Sequence, residues 1–105
     1  DRPLPESPGR LRANRALAAQ LALAGELWLR LGRAESRGQA LYRASRWVDR
    51  ESHDLVALAE DGNLGVVTWL DPASRQVVQE LVATGASSLL SELTGEYLEA
   101  SPAGT

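Results

Sequence analysis

Apolar residues spaced for helices constrain this chain most. Leu17, Leu21, Ala24, Trp28 and Leu31 follow one another at steps of four, three, four and three. That period places them on one face of a single long helix and is incompatible with the two-residue alternation of a strand. Gly32 comes directly after the last of them, where a left-handed C-cap costs glycine little. Ser36 with Gln39 three residues on reads as a capping box for a second helix, whose apolar face is Ala40, Leu41, Ala44, Trp47 and Val48. Ser52 is expected to cap a short third helix carrying Leu55, Leu58 and Ala59, ended by Gly62. Asp71 followed by Pro72 marks a helix start, since aspartate caps and proline fits the first turn. Val77, Val78, Leu81 and Val82 then form an apolar face closed by Gly85, and Leu89, Leu90, Leu93 and Tyr97 supply a fifth helix. Only Gly65–Trp69 hints at a strand. The expected fold is all-α, a compact bundle of about five short helices.

At 105 residues the chain suits one domain with a modest core. The helical domain is expected over residues 11–99, after a lead-in over 1–10 marked by Pro3, Pro5, Pro8 and Gly9, and before a frayed tail over 100–105. The first residue is Asp1 rather than methionine, as in a trimmed chain or an excised domain. No apolar run nears the roughly 20 residues of a membrane span, and no secretory signal is present, so a cytoplasmic protein is the expectation. Cysteine is absent, which removes disulfides and zinc–thiolate sites. Lysine, isoleucine, phenylalanine and methionine are absent too, a bias of GC-rich, bacterial-like genomes that bears on background rather than function.

The net charge of −3 is unevenly spread. Residues 1–50 hold ten arginines against five acids, a balance of +5, and residues 51–105 hold Arg75 against nine acids, a balance of −8. The chain thus has a basic half and an acidic half.

The order of these signals is familiar. A long helix, a loop, an arginine-bearing helix and a short helix ending in Leu55-x-x-Leu58-x-Glu60-x-Gly62-x-Leu64 resemble the N-terminal, lyase-type domain of X-family DNA polymerases. The stretch from Leu64 to Thr84-Gly85 has the length of that family's helix-hairpin-helix without gaps. Ala40, Arg43 and Ala44 match its arginine-rich second helix, with Leu41 where its tyrosine stands. The resemblance covers roughly residues 14–98.

What the resemblance implies is mostly loss. The family's hairpin carries glycine, an apolar residue and glycine, which let backbone N–H groups approach a phosphate. Trp69, Leu70 and Asp71 occupy those positions, so the hairpin is degenerate and sets a carboxylate where a phosphate would sit. The family's lyase chemistry uses a lysine amine as Schiff-base nucleophile. That position falls on Val77 and a second family lysine on Ala73. The chain has no lysine, and arginine does not substitute as an amine nucleophile. A non-catalytic module is expected.

Other chemistry finds little support. Asp49, Glu51, His53 and Asp54 offer oxygens and an imidazole, but one histidine among short acids at a helix start reads as a cap and solvated loop. Ser87 and Ser88 lack a paired base, and no glycine-rich phosphate loop appears. No metal and no cofactor are expected. Gln39, Arg43, Arg46 and Arg50 recur along the second helix opposite its apolar side, with Arg30, Arg33 and Arg37 nearby. Arg37, Arg43, Arg46 and Arg50 are the candidate nucleic-acid contacts, for weak and non-specific association with DNA. The alternatives are a solvated face paired with the acidic half, or a protein-interaction module using Val66, Val67, Trp69 and Leu70, unless those residues pack inward.

Overall fold

A computed structural model describes residues 12–100. The expected lead-in and all but the first residue of the expected tail lie outside the described residues. Helix α1 spans Arg12–Arg30, α2 Glu35–Arg50, α3 Leu55–Glu60, α4 Pro72–Thr84 and α5 Ser88–Ala100. A single turn of 3-10 helix, Leu64–Val66, lies between α3 and α4. The fold is all-α, with no strand among the described residues. Gly65–Trp69 therefore does not form the strand its composition hinted at: the Val66 and Val67 N–H groups bond back to Asn63 and Leu64 instead.

Helices α1 and α2 pack as an antiparallel hairpin whose inner seam is lined by two glycines. A Cβ on Gly25 would stand 3.1 Å from the Gly38 carbonyl oxygen, and one on Gly38 would stand 2.5 Å from the Leu29 side chain. Glycine costs a helix interior about 1 kcal/mol against alanine, so its presence on both facing helices marks a close crossing. At the far end of the hairpin, Asn14 is fully buried and fully bonded. Its amide donates to the Glu51 and His53 carbonyls at 3.1 and 2.8 Å, and its oxygen accepts from the Leu55 N–H at 3.0 Å. One side chain thus fastens the α2–α3 connection to the first turn of α1. Helices α4 and α5 close the bundle around Leu21, Leu41, Val48, Leu55, Leu64, Leu70, Val77, Val78 and Leu93, all buried.

The caps are partly as read and partly displaced. Gly32, Gly62 and Gly85 hold positive φ at the ends of α1, α3 and α4. Asp71 caps α4, accepting from the Ser74 N–H at 3.2 Å, with Pro72 in the first turn. Ser36 is not the cap of α2. The helix begins at Glu35, Ala34 holds the cap position without a side-chain bond, and the Arg37 and Gly38 N–H groups bond to the Ala34 carbonyl. Ser52 does not cap α3 either. Asn14 takes the Leu55 N–H, and the nearer Asp54 accepts from Val56 and Ala57 at 3.0 and 3.3 Å.

Candidate functional site: the outer face of the second helix

The buried face of α2 is Gly38, Leu41, Ala44, Ser45 and Val48. Arg43, Arg46 and Arg50 are exposed on the other side. At about 100° per residue they share an arc of about 60°, and Gln39 joins it. No carboxylate among the described residues lies within ion-pair distance of the three arginines. Antiparallel pairing also brings the start of α1, with exposed Arg12 and Arg15, to the end of α2 that carries Arg50. The sequence reading missed these two; the short Leu31–Ala34 connection, which forces antiparallel neighbours, was the available signal.

Arg37 does not belong to that stripe. It lies about 120° around the helix from Arg43, and its guanidinium stands 5.9 Å from the centroid of the Trp28 ring. Arg30 and Arg33 are engaged elsewhere. Arg30 pairs with Glu26 at 2.9 Å, while Arg33 bonds Glu96 at 2.6 Å and Glu92 at 3.2 Å, joining the basic half of the chain to the acidic half. The hydrogen bonds that Arg33 donates to Glu96 and then Glu92 hold its pKa above the ordinary value.

Trp47 departs from the apolar face expected for it. It sits at the boundary with the arginine face, 52% exposed, with its ring 6.1 Å from that of Trp69 and tilted by 32°. The two rings, Arg43, Ala44 and Asp71 border a shallow groove of about 250 Å³.

The hairpin residues divide. Leu70 and Val67 are buried in the core, so neither is available to a partner, while Val66 is 66% exposed and Trp69 half-buried. Four apolar residues bracketing a loop cannot all face outward when the core beneath needs two of them. Asp71 spends its carboxylate on the Ser74 N–H.

The acidic cluster resolves into local bonds. Asp54 caps α3, and Glu51 accepts from His53 at both its backbone N–H, 3.1 Å, and ring Nδ1, 2.6 Å. Partial burial pushes the Glu51 carboxyl up, but the His53 bonds outweigh it and hold the group below the usual carboxylate range. No set of three metal-binding side chains converges among the described residues. No helix there is long and apolar enough to cross a membrane.

Leu41, Ala73 and Val77, the positions where the resemblance would place a tyrosine and two lysines, meet on the wall of one cleft between α2 and α4. At these three positions the wall is apolar, while Arg33, Arg37, Gln76, Glu80, Ser88 and Glu92 form its rim. Comparison with known proteins adds nothing to this geometry: no family model, no curated protein and no solved structure matches the chain.

Proposed function

We propose that this protein is a non-catalytic accessory module that associates weakly, and without regard to sequence, with DNA through the outer face of α2. The observation that carries this reading is the exposed arc of Arg43, Arg46 and Arg50, which no carboxylate among the described residues neutralises. Guanidinium groups so placed make charge-assisted contacts with phosphates and release counterions on binding. Arg12 and Arg15 extend the positive surface past the end of the helix. Trp47, exposed between Arg46 and Arg50 in the sequence, adds an aromatic surface of the kind that accompanies arginines where nucleic acids bind. The hairpin takes no part, because Leu70 is buried and Asp71 would repel a phosphate. With no lysine in the chain, Schiff-base chemistry through a side chain has no nucleophile. Three to five cations support only modest affinity, which fits a module held beside a stronger DNA-binding unit, where effective concentration makes up the difference.

Fluorescence anisotropy with labelled duplexes of unrelated sequence tests the proposal. At low salt the wild type is expected to bind them alike, and the triple variant R43E/R46E/R50E to bind none, with its helical circular dichroism unchanged. A wild type that fails to bind at low salt rules the reading out. A second reading then takes over, that of a protein-interaction module, and a specific observation favours it: exposed Val66 and Trp47 lie on either side of Trp69, a small apolar surface open to a partner.

A further inference from the structure

On the other side of α2, between the end of α1 and helices α4 and α5, lies a cleft of about 340 Å³. That is the small end of the range for ligand pockets. Its lining is sharply divided. Leu41 and Val77 are buried beneath it, with half-buried Trp28 and Leu89 and the small Ala73 completing an apolar floor. The rim holds Arg33, Arg37, Gln76, Glu80, Ser88 and Glu92.

Nearly every polar group of the rim is already engaged inside the protein. The Trp28 indole N–H donates to the Ala34 carbonyl at 2.8 Å. Arg33 is held by Glu92 and Glu96. Glu80 accepts from the Ser88 N–H at 2.8 Å, from the Ser88 hydroxyl at 3.0 Å and from Gln76 at 3.3 Å, bonds that keep its carboxyl below the ordinary range and therefore ionised. Arg37 alone remains. It is exposed, and no carboxylate among the described residues pairs with it.

An apolar floor with one uncommitted guanidinium at its edge selects for a particular kind of ligand. We propose that the cleft binds an apolar monocarboxylate, with a ring or branched alkyl group seated against Trp28, Ala73 and Leu89, above the buried Leu41 and Val77, and its carboxylate on Arg37. Glu80 and Glu92 stand on the opposite rim, so a doubly charged phosphate meets repulsion that a single carboxylate, held at the Arg37 edge, avoids. A neutral ligand of the same shape would forgo the charge-assisted bond. Two sources supply this chemistry: a free organic acid, or the C-terminal carboxylate of another polypeptide ending in an apolar side chain. The site is separate from the arginine stripe, and its occupation does not depend on DNA binding.

Titration of the isotopically labelled protein, followed by nuclear magnetic resonance, tests this directly, because the Trp28 indole N–H reports from the cleft wall. Phenylacetate is expected to give saturable shifts at Trp28, Leu41 and Val77. Phenylacetamide should bind roughly tenfold more weakly, the weight of one charge-assisted hydrogen bond. The surface substitution R37Q should bring the acid down to the level of the amide and leave the amide unchanged. Ala73→Phe, which fills the cleft from its floor, should weaken both. Hexanoate against N-acetyl-leucine separates the sources: preference for the first marks a free acid, preference for the second a chain terminus, and either preference upholds the shared chemistry. Equal binding of acid and amide to the wild type would overturn the proposal. So would indifference to R37Q, phenyl phosphate binding as tightly as phenylacetate, or the absence of saturable shifts at Trp28 and Val77 at millimolar ligand.

Discussion

Two parts of this molecule, the α3–α4 connection and the outer face of α2, have opposite commitments to the core. The apolar side chains of the α3–α4 connection are built into the core: Leu64, Val67 and Leu70 are buried, Asp71 is spent on a helix cap, and of the apolar residues only Val66 and part of Trp69 reach solvent. On the outer face of α2, Arg43, Arg46 and Arg50 are exposed with no ion pair among the described residues, and Trp47 at its boundary meets Trp69. In a helix-hairpin-helix the hairpin gives its backbone to the ligand and therefore needs glycines. Here large side chains anchor the connection, and under the proposed function phosphates are met by guanidinium groups on a neighbouring helix. A surface that binds a partner must be free of work in the core, and between these two regions the outer face of α2 is the freer.

The contrast is sharpest in stability. Leu70→Ala removes a side chain 1% exposed and should cost about 2–5 kcal/mol in chemical denaturation. Trp47→Ala, at 52% exposure, should cost about 1 kcal/mol, the scale of one tilted aromatic pair. If the two cost the same, the division between a core-bound connection and a free outer face is wrong. The smallest effect belongs to Asp71→Gly. Glycine is a tolerable N-cap, so stability should fall by only a few tenths of a kcal/mol. DNA affinity should stay level or rise, since a carboxylate leaves the vicinity of Arg43. A marked loss of affinity in this variant would return the hairpin to the interface.

How much of this was legible beforehand depends on distance along the chain. All five helices announce themselves locally, through Leu17 to Leu31 at helical spacing, through Asp71-Pro72 and through glycines placed as C-caps. Arg37 could have been separated from Arg43, Arg46 and Arg50 by the helical period alone, since the six residues from Arg37 to Arg43 turn the helix through about 120° less than two full turns. Asn14 could not have been read as a clamp: its partners Glu51, His53 and Leu55 are 37 to 41 residues away, and asparagine early in a helix has many uses. Gly25 and Gly38 did carry a signal. Each interrupts a helical pattern at a cost, and a pair on adjacent helices fits a tight crossing. The cleft was invisible for the same reason as the Arg33–Glu96 pair, because both require α5 to fold back against α1.

The central claim, that phosphates are met by the α2 arginines and not by the hairpin, is tested most directly by the salt dependence of DNA binding. Each neutralised phosphate contributes about −0.9 to the slope of log Kobs against log salt, so the share of the three α2 arginines should be about −2.7. Arg43→Gln should reduce this to about −1.8. Val66→Ser, in the α3–α4 connection, should leave it unchanged. A slope indifferent to Arg43, Arg46 and Arg50 would contradict the account.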